Sequence, residues 1–499
     1  MFKQSAPIIK LPADATEDDH LALLGLLNSS TACFWMKQTF HNKGGPGGGS
    51  SKDEKWHDFY EFSGTGLQRF PVAEQKPLGF SRQLDEIARQ ICELAVNQLL
   101  ERLPKGGDLK KLIEEAKAKT EKLRKTMIAL QEELDWQCYK LYGLLRDDLC
   151  CPGGDLPELA LGERAFEIVM ARQIKAGTFT TKWFDWLNVN PITEIPKHWP
   201  AAYRELVEQR IQLIETNKEI GLIERPEYKR RWNTEPWEKQ EQRALKNWLL
   251  DRLEDKRYWP EVELQSVSRL ADRASSDAEF MQVAALYRGR PDFAVAELVA
   301  ELVEGESVPF LPILRYKATG LRKRALWERT WEMQRQEDAG EKVADIPVPP
   351  KYTSADFVKT DYWRLRGKLD VPKERWISYP HCSTEYDPSL VVAWAGWNHL
   401  QQATALVAYY DARKREGWTA KRLTPLLAGL DQLLPWIHQW HPEIDKEYGE
   451  SAGRSYQTML EHDAHELGLT LEEIRQWTPL MIKPRNTRIT RKKNGEQRS

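Results

Sequence analysis

Leu109–Leu145, LKKLIEEAKAKTEKLRKTMIALQEELDWQCYKLYGLL, is the stretch that decides the fold class. Leu109, Leu112 and Ala116 open an apolar stripe. Leu123, Met127, Leu130, Leu134, Cys138, Leu141 and Leu145 resume it at spacings of three and four, the period of one helix face. Glu115 with Lys119, and Glu121 with Lys125, add favourable pairs one turn apart. Pro104-Lys105-Gly106-Gly107 stops what comes before, and Cys150-Cys151-Pro152-Gly153-Gly154 bounds what comes after. A helix over 109–145 would be ~55 Å long, a rod that sets the distance between two objects.

Upstream, a helix is expected over 80–103. Residues 17–28, EDDHLALLGLLN, form a short helix apolar nearly all round, with acidic residues in its first turn favouring the N-terminal dipole. CFWMKQTF is a second apolar piece. Gly44–Ser51, GGPGGGSS, reads as an exposed loop, and FYEFSGTGLQRFPV as a short strand, a turn and an extended exit. Downstream, helical patterns cover 162–176, 200–219, 235–254, 266–288, 292–304 and 320–337, then 387–416, 419–440 and about 455–478. Ile346–Tyr379 is less helical, with Pro347, Pro349 and Pro350 making an extended entry. The expectation is a mainly α, multidomain protein with a partial α/β domain at residues 1–80 and a helical spacer at 81–149. Helical bodies follow at 150–345 and 346–480, and a basic, disordered tail at 481–499.

Composition agrees with a folded chain. Of 499 residues, 41% are apolar and 30% charged, and the net charge is -2. The whole is therefore no polycation, and any nucleic-acid contact must come from local patches. No apolar run approaches the ~18 residues of a membrane helix, and residues 1–20 lack a signal-peptide pattern. A cytoplasmic protein without membrane partners is expected. Cys33, Cys92, Cys138, Cys150, Cys151 and Cys382 include no C-x-x-C pair and read as reduced thiols. Many of the 20 tryptophans neighbour Arg or Lys, which suits interhelical cation–π packing more than base stacking.

Several motif fragments do not complete. Phe62-Ser63-Gly64-Thr65-Gly66 has the outline of an F-x-G-x-G loop for S-adenosylmethionine, but Arg69-Phe70-Pro71 follows where its helix should begin. In Gly44–Lys52, Ser50 sits where a phosphate-binding loop requires Lys, and Lys52 comes two residues late. His438 with His441, and His462 with His465, are spaced for one helix face, but no third ligand completes either set for zinc. Asn190-Pro191-Ile192-Thr193 lacks the second proline and the aromatic of the tetrapeptide that holds a flipped adenine. No catalytic, cofactor-binding or metal-binding residue is assigned.

Basic residues beside aromatic ones remain. Tyr228-Lys229-Arg230-Arg231-Trp232 is one cluster; Arg315, Lys317, Arg322, Lys323 and Arg324 form a second. Tyr362-Trp363-Arg364-Leu365-Arg366-Gly367-Lys368, with Lys373 and Arg375, is a third. Each could meet phosphates, although a solvated or domain-docking face is the plainer reading. In the tail, Lys483, Arg485, Arg488, Arg491, Lys492, Lys493 and Arg498 face only Glu496, a composition suited to a nonspecific anion arm.

Long phrases carry a family likeness: HLALLGLLNSSTACFWMKQTFHNKG (20–44), EELDWQCYKLYGL (132–144), ERAFEIVMARQI (163–174), IGLIERPEYKRRW (220–232), PFLPILRYKATGLRKRALWERTW (309–331), SADFVKTDYWRLRGKLDVPKERWISYP (354–380) and AGWNHLQQA (395–403). From about residue 6 to residue 480 the chain resembles the C-terminal portion of the PglX adenine-specific DNA methyltransferases of type 2 BREX (bacteriophage exclusion) systems. Its N-terminal phrases, WHDFYEFSGTGLQRFP among them, resemble the end of a target recognition domain with a spacer helix behind it.

The resemblance implies DNA target recognition and docking for N6-adenine methylation in phage defence. Partners would be DNA, an N-terminal methyltransferase domain or its separate chain, and other defence proteins. S-adenosylmethionine belongs to the complete enzyme; its catalytic motifs match nothing here, so a fragment or split product inactive alone is expected. The recognition region falls on residues 1–80, where Lys37, Gln38, His41, Asn42 and Lys43 lead into the glycine loop. Such side chains contact phosphates and adenine edges, or simply solubilise a loop. Arg364, Arg366, Lys368, Arg491, Lys492 and Lys493 complete the DNA-contact candidates. The alternative is a protein-interaction scaffold that touches no DNA.

Overall fold

A computed structural model describes residues 8–44, 54–102, 107–151, 156–232, 235–447 and 449–479. It is mainly helical, with two small sheets among the described residues. The chain divides into two compact units, Met1–Ala244 and Leu245–Ser499. The limits expected at residues 80, 149 and 345 fall inside these units.

The first unit opens with α1 (Glu17–Leu27) and α2 (Ser30–Thr39). Thr16 and Asp19 form a reciprocal capping box at the start of α1, and Ser29 caps α2 through the Ala32 amide. The antiparallel hairpin β1 (His41–Gly44) and β2 (Phe59–Glu61) follows, and one helical turn at Gly64–Leu67 replaces the turn expected there. The helix expected over 80–103 is α3 (Leu78–Glu93), then a break at Leu94-Ala95 and a short helix Val96–Glu101. α1 crosses α3 at Gly25, where a Cβ would sit 1.9 Å from the Ser81 hydroxyl, so only glycine allows this approach.

The long helix, α4, runs Leu109–Leu141. It ends four residues early because Gly143 turns left-handed at φ +73° and the Leu144 amide returns to the Tyr139 carbonyl. Nor is it a bare rod. Residues 127–136 are all buried, because α2 and α3 pack on it and Trp136 and Tyr139 join the core made with α5 (Ala165–Lys175) and α6 (Ala201–Thr216).

Three carboxylates lie inside this packing, with Glu132, Glu133 and Asp135 no more than 2% exposed. A buried carboxylate is tolerated only when its charge and lone pairs are met. Glu133 takes the Arg210 guanidinium at 2.8 and 2.7 Å and the Cys151 amide at 2.7 Å. Burial alone would lower the pKa of Arg210, but Glu133 holds it above its ordinary value. Asp135 accepts from the Ser30 amide at 2.8 Å and the Ser30 hydroxyl at 2.6 Å, fixing the first turn of α2. Glu132 accepts weakly from the Ala165 amide at 3.3 Å.

Lys229 joins this centre, 3.1 Å from Asp135 and 2.5 Å from Glu224. Glu224, just beyond α7 (Lys218–Ile223), also accepts from the Tyr139 hydroxyl. One ammonium thus serves two buried carboxylates. Burial pushes Glu224 up to about 7 against the pull of Lys229, while the surrounding carboxylates keep Lys229 above its ordinary value.

In the second unit a mixed sheet has strand order β3-β6-β5-β4: β3 (Gln265–Ser266), β4 (Ser307–Pro309), β5 (Trp376–Tyr379) and β6 (Val391–Trp394). β4 and β5 are parallel, pairing Ser307 with Trp376; β5 and β6 are antiparallel, pairing Trp376 with Trp394. Around it lie α8 (Val267–Ser275), α9 (Val295–Gly305), α10 (Ala318–Asp338), α11 (Thr360–Arg366), α12 (His399–Arg415), α13 (Ala420–Trp440) and α14 (Ala452–Glu466). Several helical expectations are corrected; that over about 455–478 breaks between Glu466 and Leu471, where Gly468 turns left-handed at φ +69°. Residues 387–398 contain β6, and helix begins only at the Asn398–Gln401 capping box. The stretch 266–288 breaks at Asp277, whose side chain caps a new helix, Ala278–Arg288. No helix among the described residues is long and apolar enough to cross a membrane.

Three outcomes follow for unfolding. Glu133→Gln or Arg210→Met leaves one buried charge unpaired and should cost about 3–5 kcal/mol in urea unfolding, whereas Glu133→Leu with Arg210→Met should cost far less. Leu134→Ala, at a fully buried position, should cost about 2–5 kcal/mol. Glu224 binds its proton more tightly folded (about 7) than unfolded (4.5). Its contribution is therefore full below pH 4.5 and is lost as pH rises through about 7. Glu224→Gln should flatten that decline in a pH series of unfolding midpoints.

Candidate nucleic-acid interface

α2 and the β1–β2 hairpin carry the N-terminal candidates. Asp135 holds α2 at its first turn. Near its last, Lys37 donates to the Glu227 carbonyl at 2.5 Å, lies over the Tyr60 ring, and has its pKa lowered by burial. Gln38 donates to the Tyr228 hydroxyl at 3.3 Å. These two side chains tie α2 to the 227–228 segment. Asn42 works within the hairpin: its amide donates to Asp58 at 2.9 Å and its side-chain oxygen accepts from the Gly44 amide at 2.7 Å.

His41 and Lys43 are the candidates on the outside. Both are exposed on β1, and Lys43 pairs with Glu61 across the hairpin at 2.6 Å. Phe59, 57% exposed on β2, adds an uncovered ring to the same hairpin. No sequence signal separated His41 and Lys43 from the structural Lys37 and Asn42, since all lie within seven residues. Phe59 was missed because one exposed aromatic in a short strand has no pattern.

The basic clusters are largely engaged. Lys229 is buried, Arg230 stacks on Trp232 at 4.6 Å, and Arg231 donates to the Trp56 carbonyl at 2.9 Å. Lys323 pairs with Asp356 at 2.7 Å, and Arg324 pairs with Glu328 at 2.8 Å while lying 4.0 Å over Trp327. Arg364 is half-exposed and pairs with Glu306 at 2.9 Å. Arg366 is corrected as a surface contact: it is buried, paired with Glu374 and 3.6 Å from Asp370. Lys368 is exposed. Arg491, Lys492 and Lys493 lie outside the described residues, as does most of the glycine loop.

The incomplete motifs have structural work. Gly66, in the one-turn helix, sits against Phe40, where a Cβ would come within 2.2 Å of the ring. The Thr193 carbonyl accepts from Arg172. His462, Asp463 and Glu466 bring ligand atoms within 4.8 Å of one another, but Lys414 already lies 3.2 Å from Asp463 and 2.5 Å from Glu466. That cluster is an ion-pair site.

Comparison with known proteins adds the family. The chain is 46% identical over 498 residues to "Adenine-specific methyltransferase PglX" of Streptomyces coelicolor (strain ATCC BAA-471 / A3(2) / M145). The match covers 96% of this chain and 40% of that relative, as a C-terminal portion would. No solved structure matches. A family model described as "Domain of unknown function (DUF7008)" matches residues 127–492, from the buried half of α4 onward, and the chain belongs to that family.

Proposed function

We propose that this chain is the DNA target recognition and docking part of an adenine-specific (N6) DNA methyltransferase that acts in phage defence in the cytoplasm. The observation that carries the reading is the match to a PglX methyltransferase along 96% of the chain. The geometry that supports it is the hairpin, which presents His41, Lys43 and Phe59 outward from a base fixed to α4 through Ser30 and Asp135. A cation meets phosphate, a ring can lie against a base, and a rigid mount holds their register. Methyl transfer from S-adenosylmethionine is then the work of the remainder of such an enzyme, with DNA as the shared substrate.

Two assays test this. Methyl transfer to DNA should appear when the chain is mixed with an N-terminal methyltransferase portion of a PglX protein and should be absent from the chain alone. Duplex binding should weaken steeply with salt, the logarithm of the binding constant falling by about 0.9 per phosphate contacted. Lys43→Ala should reduce that slope by about one contact, and Glu61→Gln, which frees Lys43, should raise affinity. Salt-insensitive binding to a protein partner, without DNA affinity, would favour an interaction scaffold instead.

A further inference from the structure

In the second unit, three segments gather on a small aromatic core. Tyr316 and Tyr352 stack with centroids 5.3 Å apart and planes 17° apart, and Phe357 packs on both. Hydrogen bonds hold the segments together. The Lys317 amide donates to the Asp356 carbonyl at 2.8 Å, and the Tyr352 amide to the Lys368 carbonyl at 2.9 Å. Lys323, on α10, donates to the Lys351 carbonyl at 3.0 Å. The first turns of α10, the 351–357 segment and the 367–373 segment are therefore neighbours.

Charge in these segments is sorted by depth. Residues 312–326 contain no carboxylate, and residues 350–376 contain Asp356, Asp361, Asp370 and Glu374. Asp356, Asp370 and Glu374 are 3%, 4% and 7% exposed and are taken by Lys323, Arg324 and Arg366. Asp361 is exposed and lies 3.7 Å from Arg364. The cations that remain face outward. Lys317, Arg322, Lys351, Lys368 and Lys373 are all exposed, and no carboxylate among the described residues lies within 4.0 Å of any of them. With the carboxylates turned inward, the surface is cationic although the chain as a whole carries a charge of -2. A small anion needs donors that converge on one point; cations spread over neighbouring segments suit a polymer of regularly spaced phosphates.

We propose that this surface is a second docking site for the phosphate backbone of duplex DNA, formed by Arg322, Lys351, Lys368 and Lys373 with Lys317 beside them. It rests on the reading that DNA is the substrate, and it adds to the hairpin a contact that positions the duplex without reading its sequence.

Fluorescence anisotropy of the full chain on two duplexes of unrelated sequence, across a salt series, tests it. Combining Arg322→Gln, Lys351→Gln, Lys368→Gln and Lys373→Gln should lower the slope of log affinity against log salt by about 0.9 per lost contact, roughly 3 to 4 in all. The loss should be equal on both duplexes and additive with that of Lys43→Ala. A matched variant at Lys256, Lys421, Lys446 and Arg454, exposed cations elsewhere in the unit, should change the slope much less. Equal loss in the matched variant would overturn the proposal in favour of diffuse attraction. A wild-type slope in the first variant, with Lys43→Ala still lowering it, would overturn this surface and leave the hairpin reading standing. No duplex affinity in the wild-type chain would overturn both. Leu369 and Val371 are exposed between Lys368 and Lys373, so polyglutamate is the competing probe. Loss of polyglutamate binding with duplex binding unchanged would assign the surface to an acidic protein instead. Unchanged urea midpoints in the variants show that the fold is kept.

Discussion

The first unit depends on the burial of negative charge on one helix. Within a single turn of α4, Glu132, Glu133 and Asp135 are shut away from water, and each must be answered by another segment. Glu133 draws in Arg210 from α6 and the amide of Cys151. Asp135 draws in Ser30 from α2 and Lys229 from beyond α7. The elements that surround α4 are thus placed by charge and hydrogen-bond geometry as well as by apolar fit. Apolar contacts are non-directional; these are not, so they give the packing one register.

The same residues explain what the sequence made legible. The stripe from Leu109 to Leu141 announced the helix, because a 3.6-residue period survives in a single sequence. Its buried polar face was invisible: Glu132, Glu133 and Asp135 read as solvent-facing until Arg210, Lys229 and Ser30 are brought to them from about 75 to 105 positions away. The sheet of the second unit was missed for a different reason. Its strands are two to four residues long, too short for alternation to show. The family likeness rested on long phrases, and these phrases contain the three buried carboxylates of α4 and their partners Ser30 and Lys229, though not Arg210.

Basic residues fall into two populations that composition cannot separate. Lys229, Arg210, Arg164 and Arg366 are internal counter-ions, while Lys43, Lys368 and Arg364 lie at the surface. Arginine next to tryptophan is mostly an internal device here: Arg324 on Trp327 and Arg422 on Trp418 lie 4.0 and 3.8 Å from the ring centroids.

The hairpin is fastened on both sides of its tip. On one strand Asn42 is bonded to Asp58; just before the other, Glu54 accepts from Thr181 at 3.0 Å and from the Lys182 amide. Chain held at two nearby points can gain, lose or exchange residues between them at small entropic cost, since closure entropy grows only with the logarithm of length. A lineage bearing this fold could therefore rewrite what the tip meets while leaving its foundations intact.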